Sequence, residues 1–165
     1  MKTLIIVRHA KSPAAALDET DFDRGLTESG KKDAAEMGKK LFNEGLKIDV
    51  FVSSPAKRAK KTCRAFAEAY GRDKDEIIYV DELYHASSAT YYRVTEGLDD
   101  KYNSAAIFAH NPGITNFVNG LCEKVDVYNM PKAGVFAVKA NIKNWKEFGD
   151  AEKKFLFFKD PKDNN

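Results

Sequence analysis

Histidine and arginine side chains lie just beyond several short apolar segments of the 165-residue sequence. Arg8 and His9 follow one such segment directly, Arg58 comes four residues after Ser54 at the end of another, and His110 follows a third. A neutral imidazole is a competent nucleophile near pH 7, and the planar guanidinium fork matches the oxygens of a phosphate group. These residue types predict phosphoryl-transfer chemistry in which a histidine takes the phosphoryl group covalently.

The apolar segments alternate with amphipathic segments. Short runs rich in β-branched and aromatic residues predict strands, and apolar residues that recur every three or four positions predict helices. The predicted strands cover residues 3–7, 49–53, 77–80, 105–109, 135–140 and 154–158. The predicted helices cover residues 27–45, 54–71, 88–98 and 111–121. This alternation predicts an α/β three-layer sandwich with a mainly parallel sheet of about six strands, flanked by helices.

In such a sheet, the carboxyl ends of the parallel strands meet at one edge, where open α/β proteins bind ligands. The sequence places Arg8, His9, Arg58 and His110 at that edge. Each residue alone has a simpler explanation: Arg58 lies on a lysine-rich helix and could belong to a solvated basic face, and His110 could be a hydrogen-bonded core residue. Their joint placement is what predicts a phosphate site.

Two predicted helices start at this same edge. Ser54 and Asn111 each precede a proline, a pattern typical of helix entry. Free N–H groups and the helix dipole favour an anion at a helix N-terminus. We therefore expect Ser54 and Asn111 to lie beside a bound phosphate.

The composition argues against several other classes of protein. With 27 basic and 25 acidic side chains, the net charge of +2 does not indicate binding to nucleic acid or membranes. The 3 histidines lack the helical spacing of a zinc site, and no glycine-rich phosphate loop follows the first strand. We expect neither a metal nor a cofactor.

Cellular location and domain organisation follow from similar arguments. Cys63 and Cys122 are too few for a disulfide framework and fit buried free thiols in a reducing compartment. No apolar run reaches the length of a signal-peptide core or a membrane span. We expect a cytoplasmic monomer with a single domain over residues 1–160 and a polar C-terminal tail over residues 161–165.

Several segments resemble motifs of the histidine phosphatase superfamily, in the family's order. RHAKS at residues 8–12 is similar to the superfamily's RHG or RHA signature, and DFDRGLTESG at 21–30 resembles DFDRPLTERG of its SixA-type phosphohistidine phosphatase branch. SSPAKRA at 53–59, LYHAS at 83–87 and AHNPG at 109–113 resemble that branch's SSPARRA, LYEAS and GHNPG. Gly25 stands where proline is usual, and Ala109 replaces a glycine.

The resemblance implies a phosphoglycerate mutase-like fold and a role for each motif residue. It implies that His9 is the nucleophile and that the phosphate pocket around it is formed by Arg8, Arg58 and His110. It also implies that Lys11 and Arg24 reach the phosphate or the molecule that carries it.

The general acid and the role of His85 are open at this point. In larger relatives a carboxylic acid protonates the leaving oxygen, and Glu82, after the third predicted strand, is the leading candidate here. Asp18 and Asp21, in the long loop after the first strand, are weaker candidates. His85 follows the same strand as Glu82 and could contact substrate, lie at the rim or be structural.

Three functions are compatible with these residues. The first is a phosphatase that takes a phosphoryl group onto His9 and passes it to water, with phosphohistidine in a protein partner as substrate. The second is a phosphatase of small phosphoesters. The third is a module that binds phosphoproteins without catalysis, which an intact set of pocket residues argues against.

Overall fold

The computed structural model describes residues 1–163, whose elements alternate largely as predicted. Within these residues the strands are β1 (Lys2–Arg8), β2 (Val50–Ser53), β3 (Ile78–Tyr79), β4 (Ser104–Ala109), β5 (Val135–Ala140) and β6 (Lys153–Lys159). The α-helices are α1 (Glu28–Asn43), α2 (Lys57–Ala69), α3 (Ser88–Glu96) and α4 (Gly113–Asn119). Short 3-10 helices cover Asp21–Asp23, Lys74–Glu76, Asp81–Leu83 and Trp145–Glu147.

The strands form one sheet in the order β3-β2-β4-β1-β5-β6. β1, β2, β3 and β4 pair in parallel, but β5 is antiparallel to both β1 and β6. The sheet is therefore mixed, and the expectation of a mainly parallel sheet was wrong. The cause is the segment after α4, which returns to the carboxyl edge of β1, where the Ala133 N–H donates to the carbonyls of Arg8 and His9. β5 starts there and must run opposite to β1.

The two faces of the sheet are covered by different helices. α1 and α2 pack on one face through Met37, Leu41 and Phe66, and α3 and α4 pack on the other through Tyr91 and Phe117. β1 and β4 are buried on both faces, which explains their nearly continuous apolar sequences. The result is the predicted three-layer sandwich, with the central strands β2, β4 and β1 side by side.

Some details at element ends differ from the predictions. Phe42, near the end of the predicted helix 27–45, is 52% exposed and packs edge-on against Tyr70 at the border of the core. Ser54 does not cap α2, which begins at Lys57 with Ala56 at the N-cap position. The predicted tail begins with a hydrogen-bonded turn over residues 160–163, and residues 164 and 165 lie outside the described part. Within residues 1–163, no helix has the length and apolar character needed to cross a membrane.

Candidate active site

Three adjacent strands deliver their side chains to one crevice at the carboxyl edge of the sheet. β1 ends at Arg8 and is followed by His9, β2 leads through Ser54 to Arg58 on α2, and β4 ends just before His110. The rings of His9 and His110 lie 5.3 Å apart between centroids, tilted by 52°. Residues separated by about 100 positions in sequence thus meet because β1 and β4 are direct neighbours.

His9 is buried and held in one orientation. Its Nδ1 lies 2.8 Å from the carbonyl oxygen of Ala10, which can only accept, so Nδ1 carries the ring proton and donates it. The lone pair is therefore on Nε2. Burial lowers the pKa of His9 from 6.5 to about 4; the Ala10 hydrogen bond acts in the opposite direction, and the positive charges of Arg58 and Arg8 add to the lowering. His9 is a neutral imidazole with an available Nε2 at physiological pH.

One threonine and two glycines hold the backbone segments around the crevice in place. The Ala10 N–H donates to Thr62 Oγ1 at 3.0 Å, and the Thr62 hydroxyl donates to the carbonyl of Arg58 at 2.8 Å. A Cβ on Gly30 would overlap the carbonyl oxygen of Lys11, so only glycine lets α1 lie this close behind His9. A Cβ on Gly113 would likewise overlap the carbonyl oxygen of Ala86. Sequence reasoning missed Thr62, whose only signal is a polar residue four positions after Arg58 within an apolar stripe.

His110 is oriented by Ser54. Ser54 Oγ accepts the Ala56 N–H at 3.2 Å and lies 2.8 Å from His110 Nε2, so its hydroxyl proton is available to donate to that nitrogen. In this arrangement the ring proton of His110 is on Nδ1, which is buried and has no hydrogen-bond partner. Burial, followed by the proximity of His9 and Arg58, lowers the pKa of His110 from 6.5 to about 3.

Arg8 and Arg58 place two permanent cations beside the imidazole pair. Arg8 Nη1 donates to the carbonyl of Met130 at 2.8 Å, which anchors the guanidinium on the segment before β5. Arg58 is 6% exposed and donates to Asp21, to the backbone carbonyl at 2.7 Å and to Oδ2 at 3.0 Å. The Nε atoms of both arginines are buried without a partner. A buried donor without an acceptor is energetically costly.

The loop that follows β1 folds over the crevice through Asp21. Its carboxylate accepts from Tyr84 Oη at 2.6 Å and from Arg24 Nε and Nη2 at 2.9 and 2.7 Å, in addition to Arg58. The pKa of Asp21 lies well below its usual range, because the carboxylate accepts a hydrogen bond from Tyr84 and is paired with the guanidiniums of Arg24 and Arg58. Next to it, Phe22 packs edge-on against the Tyr84 ring at 5.1 Å. Sequence reasoning ranked Asp21 below Glu82 and did not select Tyr84, because nothing local shows that two distant segments meet.

The remaining predicted residues lie around the crevice in different ways. Glu82 is exposed and faces a groove beside α3 with Val80 and Arg93, and no hydrogen bond links it to the crevice. His85 is exposed and its ring lies against that of Tyr84, with centroids 4.0 Å apart and the planes tilted by 34°. Lys11 is exposed, and its backbone carbonyl accepts from the Thr27 N–H at 2.9 Å.

Arg24 and Asn111 have their polar groups committed to protein contacts. Besides Asp21, Arg24 donates from Nη1 to the carbonyl of Pro13 at 3.0 Å. The Asn111 amide donates to Asn129 and to the carbonyl of Met130, and its oxygen accepts from Thr115 Oγ1 at 2.7 Å. Asn111 thus ties α4 to the segment that carries the anchor of Arg8. Within residues 1–163, no group of three or more histidine, cysteine, aspartate or glutamate side chains could hold a metal ion.

Known proteins share the family and the fold of this chain. The family model of the histidine phosphatase superfamily (branch 1) matches residues 4–117. A solved structure from Agrobacterium tumefaciens that carries the name phosphohistidine phosphatase SixA is similar to this chain. The two are 25% identical with a TM-score of 0.80, and the match covers 97% of this chain and 99% of that one. The protein histidine phosphatase SixA complexed with tungstate shares the fold, with 19% identity, a TM-score of 0.77 and coverage of 96% and 97%.

A curated relative differs in length. The 2,3-bisphosphoglycerate-dependent phosphoglycerate mutase of Bartonella henselae is 37% identical over 84 residues, which is 50% of this chain and 41% of that protein. This chain therefore spans less than half of the length of that relative. Since the family model covers well over half of the chain, including β1, α2 and β4 with their crevice residues, the chain belongs to the histidine phosphatase superfamily.

Proposed function

We propose that this chain is a phosphatase that transfers a phosphoryl group to His9 Nε2 and then to water, with phosphohistidine in a protein partner as its substrate. The observation that carries the proposal is the state of His9. Its Nδ1 proton is held by the Ala10 carbonyl, and its depressed pKa keeps the Nε2 lone pair free among two guanidiniums. A neutral, oriented imidazole next to fixed cations is what attack on a phosphoryl group requires.

The proposed reaction has two displacement steps. First, the lone pair of His9 Nε2 forms a bond to phosphorus while the bond from phosphorus to the substrate nitrogen breaks. If the substrate ring is protonated on its other nitrogen, the electron pair of the broken bond leaves it as a neutral imidazole. Second, a water oxygen attacks phosphorus, the bond to Nε2 breaks with its electron pair returning to His9, and the water proton passes to solvent.

Arg8, Arg58 and His110 are proposed to bind the phosphoryl oxygens during both steps. The two guanidiniums place permanent positive charge beside the paired rings of His9 and His110, where a phosphate dianion would bind. Negative charge on the equatorial oxygens is stabilised most by donors that are already in place. Ser54 acts through His110, because its hydroxyl holds the ring in the tautomer that donates.

The carboxylates near the crevice favour phosphohistidine over an ordinary phosphoester. Asp21 is strongly ionised by its hydrogen bonds to Tyr84 and two arginines, so it holds no proton to donate. Glu82 faces the groove beside α3 instead. A poor alkoxide leaving group needs a general acid that contributes roughly 10²–10⁴-fold, whereas a protonated phosphohistidine does not. Neither Asp21 nor Glu82 is proposed as the acid in this conformation.

The second candidate, a phosphatase of small phosphoesters, is favoured by one observation: the match to phosphoglycerate mutases over about half of the chain. Rapid-quench mass spectrometry with a phosphohistidine peptide and with 3-phosphoglycerate separates the two. We expect transient phosphate on His9 with the peptide, stable to alkali but not to acid, and none in His9→Asn. Turnover of 3-phosphoglycerate faster by orders of magnitude would establish the second candidate instead.

A non-catalytic binding module makes a different prediction. It requires that wild-type protein hydrolyse neither substrate and that His9→Ala bind a phosphohistidine peptide as tightly as wild type. We expect hydrolysis by the wild type and its loss in His9→Ala.

A further inference from the structure

The outer side of α2 carries a concentration of positive charge. The sequence of α2, KRAKKTCRAFAEA, contains five basic residues and one acidic residue, although the whole chain has a net charge of only +2. Arg58 is buried in the crevice. The other four lie at helical spacings on the outer side and form what we call the basic face of α2: Lys57, Lys60, Lys61 and Arg64.

The protein itself does not neutralise this face. Within residues 1–163, none of its four side chains forms an ion pair with a carboxylate. The lysines of α1 are different, since Lys31 pairs with Glu28 at 3.1 Å and Lys32 lies 3.9 Å from Glu36. Like charges three and four positions apart repel and destabilise a helix. An unpaired cluster of this kind therefore attracts an acidic surface from outside.

The basic face is continuous with the phosphate crevice. Lys57 directly precedes the buried Arg58. Lys57 Cε and Lys61 Nζ lie 3.7 and 3.9 Å from the position that a Cβ on Gly25 would take. Gly25 follows Arg24, which binds Asp21 over the crevice. From Lys57 to Arg64 the face extends along α2 for about 10 Å, at 1.5 Å per residue.

We propose that the basic face of α2 binds an acidic segment of the substrate protein beside its phosphorylated histidine. This inference rests on the proposed function and adds to it the kind of protein surface that is recognised. With His9 and Arg58 only 7% and 6% exposed, the phosphoryl group must enter a buried pocket while its carrier stays outside, next to Lys57. A length of about 10 Å matches about three extended residues or two helical turns of the carrier.

The first experiment compares phosphohistidine peptides of equal length. Four glutamates or four glutamines are placed on the N-terminal or the C-terminal side of the phosphohistidine, and kcat/KM is measured for each. We expect the glutamate peptide to exceed its glutamine counterpart by about tenfold at low salt for at least one of the two sides. The ratio should approach one as added salt shortens the screening length below about 10 Å.

The second experiment assigns the preference to residues. The variant Lys61→Glu/Arg64→Glu should bring the glutamate-to-glutamine ratio to one or below. The matched control Lys31→Glu/Lys39→Glu makes the same change of net charge on exposed positions of α1 and should keep the wild-type ratio. Because each ratio is taken within one variant, a general loss of activity cancels. A ratio near one in wild type, or equal ratios in both variants, would overturn the proposal.

A binding measurement separates this inference from the proposed function. Fluorescence anisotropy of the unphosphorylated peptides with His9→Ala protein reports docking without turnover. If no phosphohistidine is hydrolysed but the glutamate peptide still binds about tenfold more tightly and the α2 variant removes that preference, the docking face stands and the substrate assignment falls. A last outcome is that the protein sediments with anionic phosphatidylglycerol vesicles but shows no preference for acidic peptides. The basic face would then bind membranes, and the proposal would be refuted.

Discussion

His9 and His110 are expected to stay neutral far into the acid range. Burial lowers their pKa values from 6.5 to about 4 and about 3. At pH 5.5 a histidine with the ordinary value of 6.5 is about 91% protonated, whereas one with a value near 4 is roughly 3% protonated. Lowering the pH from 7.5 to 5.5 should therefore leave almost all of His9 nucleophilic, instead of removing about 90% of it.

Proton NMR with ¹³Cε1-labelled histidine measures this directly in phosphate-free buffer. With three histidines, substitution of each one assigns the signals. We expect the His9 and His110 signals to show no titration between pH 8 and 5.5, and the same residues in urea-unfolded protein to titrate near 6.5. Adding inorganic phosphate should raise the pKa of His9, because a bound anion favours the imidazolium. A His9 midpoint at or above 6 in the free protein would refute the argument from burial and guanidinium charge.

The same shifts predict how stability depends on pH. Since both folded-state pKa values lie below the ordinary value, the unfolded chain binds more protons between pH 6.5 and about 4. The free energy of unfolding should therefore fall as the pH is lowered through that window, by about 2.5 kcal/mol per pH unit near pH 5 from the two histidines together. Urea titrations at pH 7, 6 and 5 measure the slope, and His9→Asn should remove about half of this part of it.

Three substitutions test other parts of the site. Arg58→Ala should lower kcat for an aryl phosphate by at least ~10², the scale of one preorganised charge donor, and a loss below tenfold would contradict its role. Asp21→Asn should lower kcat by a similar factor for nitrophenyl and phenyl phosphate, because an ionised Asp21 is no proton donor; a loss confined to the poorer leaving group would make it the acid. Gly30→Ala should destabilise the fold by about 1–3 kcal/mol in urea titrations, because its Cβ overlaps the Lys11 carbonyl, whereas Gly120→Ala, with only ordinary contacts, should cost less.

Residues that follow buried strands were the most predictable part of the molecule. Runs such as Leu4–Val7 identify a strand buried on both faces, and the carboxyl ends of parallel strands share an edge. That geometry alone brings Arg8, His9 and His110 together, whichever residues fill the helices. Neither the direction of β5 nor the mixed sheet could be inferred, because both depend on a connection after α4 that has no local signal.

Side-chain partners that come from distant segments were not predictable. Ser54 and Asn111 have sequences typical of helix entry, but Ser54 also contacts His110 and the Asn111 amide donates to the carbonyl of Met130, and nothing near either residue in the sequence indicates these distant partners. Asp21 and Tyr84 are 63 positions apart and meet only through packing. Glu82 follows β3 as the sequence indicates, but β3 lies at the edge of the sheet, and the residue faces the groove beside α3.

The Asp21 carboxylate also bears on how the crevice can release its product. Arg8 and Arg58 would bind a phosphate dianion strongly if no anion were nearby, and tight product binding slows turnover. Asp21 accepts from Arg58 through both its carboxylate and its backbone carbonyl, so that guanidinium is already partly satisfied before a phosphate arrives. An incoming phosphate would therefore gain less binding free energy from Arg58 than from an unpartnered arginine. The negative charge of Asp21 would also repel it. If Arg58 binds the phosphoryl group as proposed, the contact that orders its guanidinium would therefore also limit how tightly the free phosphate is held.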